Sequence, residues 1–173
     1  SLIHIGAKAF GNCVKLASIT IPEGVELLGG YVFINCTDLV SASLPSTFGN
    51  PNKTTNCDVH YTGWGDISGT SSAWSNGFSN LFFKCPKLKD VTLAEGIKYL
   101  GVRMFRNCSS IASITLPSTL KRVNSAFVGC TGLTTLSFPD ELTEIGSQEG
   151  CTGLTTLTIP AGVTINDFKC TNC

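Results

Sequence analysis

Apolar residues recur along this chain in a phrase of about 22 residues that opens on a cysteine. The phrase opens at six places, namely Cys13, Cys36, Cys85, Cys108, Cys130 and Cys151. In every copy an apolar residue stands three, six, eight and twelve positions after the cysteine, and in five of the six a phenylalanine stands three positions before it. The sequence numbers of successive cysteines differ by 23, 49, 23, 22 and 21, and the 49 is one repeat of 23 plus an insertion of 26. Because so many positions keep the same phase, the pattern predicts an array of internal repeats.

The spacing within a repeat predicts its local structure. The apolar residues six and eight positions after the cysteine alternate with polar ones, as in a strand with one buried face. In five of the six repeats a proline follows directly, and it ends the strand because it has no N–H to donate. The phenylalanine and the cysteine are expected to point inward on the return path.

A unit of this size cannot bury its apolar face alone, so neighbouring repeats must stack. The sequence therefore predicts a β-rich solenoid, a right-handed superhelix with a continuous parallel sheet on one face. Short strands, 3-10 turns and irregular turns are expected on the other face. We expect one domain over residues 1–173, with about six to seven repeats of roughly 21–23 residues and an insertion at about 50–76.

The repeat phrase resembles the BspA-like, or Treponema-type, leucine-rich repeat. It stands here as the sequence Ala-Phe-Gly-Asn-Cys at residues 9–13, followed by Leu16, Ile19, Ile21 and Pro22. The resemblance covers nearly the whole chain except the insertion. The asparagine position of the generic leucine-rich repeat is filled here by other residues, which favours the BspA-like subclass; these are Gly24, Thr47, Gly96, Thr119, Glu141 and Gly162.

The resemblance implies an extracellular or cell-surface protein of the kind found in host-associated bacteria and some protists. It implies an adhesion or ligand-binding module whose partner is a protein or a glycan derived from the host. The alternative is a structural solenoid segment of a larger surface protein that has no ligand of its own. The motif is specific for the fold and only weakly specific for function.

Charge and composition exclude several classes of function. Twelve basic residues balance twelve acidic ones, which leaves no overall positive field for nucleic acid or an anionic membrane. No apolar run approaches the ~18 residues of a membrane span. The two histidines, His4 and His60, lie far apart, and no hydrolase, zincin or P-loop motif occurs. We therefore predict neither an enzyme nor a cofactor.

The cysteines allow two interpretations. As a consensus position of the repeat, each is expected to be a small buried free thiol. Disulfides between neighbouring repeats are the alternative, because stacking places equivalent Cα atoms near the distance that a disulfide permits. Cys57 lies in the insertion. Cys170 and Cys173 form a C-x-x-C sequence whose pairing stays open, and without a second such pair they do not predict a zinc site.

Two surfaces are candidates for ligand binding. The insertion contains Trp64, Trp74, Tyr61 and His60 in a background of Gly, Ser, Thr and Asn. These side chains form either an aromatic contact surface or a cover over one side of the solenoid. We favour the contact surface and expect the insertion, more than the repeats, to carry recognition.

The second candidate is a row of hydroxyls on the exposed side of the strands, comprising Thr20, Ser43, Thr92, Thr115, Ser137 and Thr158. Such a row can hydrogen-bond a glycan or a protein backbone. A remote alternative is an ice-binding surface, which regular Thr-x-Thr rows would suit. The simplest explanation is that Thr and Ser are common at exposed strand positions.

No capping unit with a polar outer face is recognisable at either end of the array. Solenoids need such caps. We therefore expect either a segment of a longer protein or end-to-end packing with further repeats.

Overall fold

The computed structural model describes residues 2–48, 79–165 and 168–173. Within these ranges the chain forms eleven short strands and no helix. The strands are β1 (His4–Ile5), β2 (Ser18–Thr20), β3 (Leu27–Leu28), β4 (Ser41–Leu44), β5 (Asp90–Leu93), β6 (Tyr99–Leu100), β7 (Arg122–Val123), β8 (Thr135–Ser137), β9 (Glu144–Ile145), β10 (Thr156–Thr158) and β11 (Thr164–Ile165). The four aromatic and histidine residues proposed in the insertion lie outside the described residues.

The strands lie on two sides of a β-solenoid, and every strand pair is parallel. The longer strands form the sheets β2-β4-β5 and β8-β10, which we call the strand face. The two-residue strands form β1-β3 and β6-β7-β9-β11 on the other side. Equivalent residues of neighbouring repeats pair directly, as Ser41 does with both Ser18 and Asp90. This repeat-to-repeat register confirms the predicted stacking.

The strand face is not the continuous sheet that the repeat pattern predicts. Residues 111–117, which separate β5 from β8, form no strand. Thr115 is exposed as expected, but it lies in this unassigned segment and not in a ladder. The N–H of Thr134 still donates to the carbonyl of Ala112 at 3.0 Å. A parallel ladder needs successive bonds in both directions, so this contact alone does not make a strand. The interruption lies in the repeat that opens at Cys108. This repeat has 22 residues, one fewer than the repeat before it.

Five phenylalanines form the centre of the core, in a row that runs along the solenoid. They are Phe10, Phe33, Phe82, Phe105 and Phe127, with successive ring centroids 5.4, 5.1, 5.5 and 5.5 Å apart and interplanar angles of 9° or less. The last four are fully buried. Stacked rings of this kind contribute about 0.5–1.5 kcal/mol per pair beyond the burial of their area.

The turn between the phenylalanine and the cysteine explains the asparagine of the repeat phrase. Asn12, Asn35 and Asn107 have φ angles of 62°, 57° and 62°. Asparagine adopts this left-handed conformation more easily than most residues, and glycine does so without steric cost. Gly129 and Gly150 accordingly take the same position in two later repeats, with φ angles of 73° and 75°.

Candidate functional site

The outward side chains of the strand face lie in rows that cross the repeats. Thr20, Ser43 and Thr92 are in direct register, and so are Ser137 and Thr158. Four of these five side chains are exposed and Ser43 is half-buried. A second row, two residues earlier in each strand, has Ser18, Ser41 and Asp90 in one sheet and Thr135 and Thr156 in the other. The strand face therefore brings together all the predicted hydroxyls except Thr115, which lies between its two sheets.

Hydroxyls elsewhere in the repeats are engaged in bonds that join one repeat to the next. Thr47 Oγ1 accepts the N–H of Gly24 at 3.1 Å and donates to the carbonyl of Val25 at 2.8 Å. Thr119 makes the equivalent pair of bonds to Gly96 and Ile97, at 2.8 and 3.0 Å. Within the described part of the chain, by contrast, the strand-face hydroxyls make no such bond to protein. They are left to solvent or to a ligand.

Two glutamates have a structural role beside these threonines. Glu23 accepts both the N–H and the hydroxyl of Ser46 at 2.9 Å, and Glu95 does the same with Ser118 at 3.0 and 2.9 Å. These hydrogen bonds, first from the backbone N–H and then from the hydroxyl, lower the pKa of each carboxyl. Sequence reasoning missed this pairing, although the alternation of Glu-Gly and Ser-Thr after the strands of successive repeats is a signal for it.

The cysteines of the repeats are mostly buried free thiols, as predicted. Cys36, Cys85, Cys108, Cys130 and Cys151 are fully buried, and each thiol donates to the carbonyl of the phenylalanine in the preceding repeat at 3.1–3.2 Å. Burial raises the pKa of the Cys85 thiol to about 12 and raises the pKa of the other four. Buried thiols that resist ionisation are unreactive.

Three cysteines, one at the first repeat and two at the last, differ from the buried free thiols of the other repeats. Cys13 is exposed, because no repeat within the described residues packs over it with a phenylalanine carbonyl. Cys170 and Cys173 form a disulfide with a Cα–Cα distance of 5.6 Å. Cys170 stands three positions before Cys173, where earlier repeats have phenylalanine, so a disulfide replaces the phenylalanine and thiol of this repeat.

Gln148 replaces phenylalanine in the repeat before that disulfide. The side chain is fully buried, and its Oε1 accepts the N–H of Phe127 at 3.1 Å. In earlier repeats that N–H donates to a backbone carbonyl, as Phe105 does to Ala126 at 2.8 Å. The repeat here is one residue shorter, and the glutamine side chain supplies the missing acceptor. In the sequence Gln148 stands out only as an exception to the repeat phrase, because its hydrogen-bond partner lies in another repeat.

Among the described residues, no group of three or more His, Cys, Asp or Glu side chains is placed to hold a metal ion. No helix within the described ranges is long and apolar enough to cross a membrane.

The model of the BspA type leucine-rich repeat region matches residues 1–57 and 78–173, in six copies. The chain belongs to this BspA-type family. The matched ranges leave out residues 58–77, nearly all of which lie within the predicted insertion. No sequence among curated proteins matches the chain.

Solved structures of bacterial leucine-rich repeat proteins share the BspA-type fold of this chain. A T. pallidum leucine-rich repeat protein is 22% identical over 94% of the chain, with a TM-score of 0.71. A protein of this type from Eubacterium ventriosum is 25% identical over 94%, with a TM-score of 0.64. A leucine-rich cell surface protein of Faecalibacterium prausnitzii is 22% identical over 82%, with a TM-score of 0.58. The chain spans 66%, 37% and 31% of the lengths of these three proteins, respectively.

Proposed function

We propose that this chain is a ligand-binding module of an extracellular or cell-surface protein, and that its strand face contacts a glycan or protein partner. The observation that carries the proposal is the division among the hydroxyls. Those of Thr47 and Thr119 join repeats, whereas those of the strand face have no protein partner among the described residues. The family supports a surface location, since a structural neighbour is described as a leucine-rich cell surface protein.

The chemistry of the face suits hydrogen-bonded recognition. Each hydroxyl both donates and accepts, as sugar hydroxyls and peptide groups also do. Neighbouring strands lie about 4.8 Å apart, so the rows offer partners at a regular interval. A hydrogen bond of this kind contributes about 0.5–1.5 kcal/mol, so several together are needed for measurable affinity.

The test combines a screen against immobilised glycans and matrix proteins with a triple variant. Thr20→Val, Thr92→Val and Thr158→Val remove three hydroxyls while keeping the shape and the β-branched character of the side chains. Thr37→Val, Thr131→Val and Thr152→Val form the matched control, because these threonines are also exposed but follow the cysteines on another side. We expect the first variant to weaken binding at least tenfold and the control to leave it unchanged.

Equal binding by the two triple variants would contradict a role for the strand face. Absence of any ligand from the screen would favour the structural-segment alternative. The ice-binding alternative is disfavoured by the interruption at residues 111–117, because an ice-binding face needs an unbroken regular array. Thermal hysteresis measured on the purified protein separates that alternative from ligand binding.

A further inference from the structure

We infer that a second binding site, for an anionic polysaccharide bearing sulfate or carboxylate groups, lies on the side of the solenoid formed by residues 79–84 and 102–107. Phe83 is at its centre, half-buried and in T-shaped contact with the Tyr31 ring at a centroid distance of 6.3 Å. Two cations lie over the Phe83 ring, with Lys84 Nζ at 5.3 Å and Arg106 Cζ at 5.2 Å from its centroid. Exposed Arg103 stands in the same turn as Arg106.

The cations around Phe83 have no acidic partner within the described part of the chain. Other cations do: Arg122 pairs with Glu144 at 3.3 Å, and Lys87 pairs with Asp38 at 2.7 Å. The chain as a whole is neutral, so this side carries a local excess of positive charge that the rest of the molecule balances. Cations gathered at one place without acidic neighbours favour an anionic ligand.

The aromatic ring holds the cations in place before a ligand arrives. A cation over an exposed ring is stabilised by about 0.5–1 kcal/mol, which reduces the side-chain freedom lost on binding. Phe83 and Arg106 occupy equivalent positions in consecutive repeats, so stacking of the repeats brings Arg106 to the Phe83 ring that Lys84 of the preceding repeat also contacts. Arg106 can form two parallel hydrogen bonds to a sulfate or carboxylate group, which a lysine cannot.

A polysaccharide fits this arrangement better than nucleic acid or an acidic peptide. A neutral chain lacks the broad positive field that nucleic acid binding requires. The half-buried ring of Tyr31 offers apolar surface beside the charges, and the C–H faces of a pyranose can pack there while its acid groups pair with the cations. The site lies away from the strand face and does not depend on the function proposed for it.

The test measures binding of a heparin octasaccharide by calorimetry to the full chain and to two double variants. Lys84→Gln with Arg106→Gln removes the two cations that lie over Phe83. Lys121→Gln with Arg122→Gln removes two cations that pair with Glu141 and Glu144, so the change in net charge is identical. We expect the first variant to lose at least tenfold in affinity and the second to lose less than about twofold, with binding that weakens as salt is raised.

Several outcomes would overturn this site. One is an equal loss in both double variants, which would mean that heparin responds to overall charge only. Others are no heparin binding at all, or equally tight binding of polyglutamate or a DNA oligonucleotide. Melting temperatures of the variants monitor folding, and Arg106→Lys, which keeps the charge, is expected to retain part of the affinity. The strand-face triple valine variant should bind heparin normally, so failure here and failure of the proposed function remain distinguishable.

Discussion

Replacing Phe105 by Ala tests the core directly. The side chain is fully buried between Phe82 and Phe127, whose ring centroids both lie 5.5 Å away. Loss of a buried phenylalanine costs about 3–5 kcal/mol, from lost burial and from the cavity that remains. We expect the upper part of this range, because two stacked contacts vanish together and the neighbouring rings belong to separate repeats.

Chemical denaturation followed by circular dichroism measures the loss. Thr115→Ala is the control and should stay within about 1 kcal/mol, since Thr115 is exposed. Phe10→Ala is a graded comparison, because Phe10 is only half-buried and stacks on one described ring, so its replacement should cost less than half as much as that of Phe105. Equal losses at Phe105 and Thr115 would refute the assignment of inward and outward positions.

Three further predictions concern the thiols, the bonds between repeats and the insertion. Above pH about 9 the thiols of the unfolded chain ionise, whereas the thiol of folded Cys85 keeps its proton up to about pH 12. The free energy of unfolding should therefore fall by about 1.4 kcal/mol per pH unit for each such thiol. In chemical denaturation measured from pH 8 to 11, Cys85→Ala should show a shallower fall. Thr119→Val should destabilise the fold by about 1–3 kcal/mol by leaving the Gly96 N–H and the Ile97 carbonyl without their partner, and a loss no larger than that of Thr115→Val would contradict this. Replacing both tryptophans of the insertion by alanine should leave the melting temperature nearly unchanged and weaken ligand binding; early unfolding of this variant would instead assign the insertion a covering role.

The sequence predicts the side that each repeat residue faces, because the direction of a side chain follows from local periodicity. Phe33 and Cys36 point inward and Thr20 points outward, as the phase of the repeat indicates. Pairing between repeats is harder to predict, because it depends on the relative length of two repeats. The buried role of Gln148 and the interruption at residues 111–117 both arise where a repeat loses a residue.

The periodic pattern also does not predict hydrogen bonds between chemically different residues of neighbouring repeats. A consensus describes what equivalent positions share, whereas Glu95 and Ser118 occupy the same position of the phrase in successive repeats, ten residues after the cysteine, and bond because they differ. Exposure at Cys13 has a related cause, since a residue is buried by the repeat beside it and not by its own. The consensus accordingly identifies the core residues, and the deviations from it identify the contacts that join neighbouring repeats.

The repeats on either side of the insertion meet as direct neighbours. Ser41 to Leu44 pair with Asp90 to Leu93 in full register, and the rings of Phe33 and Phe82 stack at a centroid distance of 5.1 Å. The thiol of Cys85 donates to the carbonyl of Phe33 at 3.1 Å, as in repeats that follow without interruption. Stacking of the described repeats therefore continues from one side of the insertion to the other, and adding residues to a connection between packed repeats costs folding only a slowly growing closure entropy. Because the described repeats on both sides already pack on each other, we expect Trp64 and Trp74 to serve in binding, and the double alanine variant distinguishes this from a covering role.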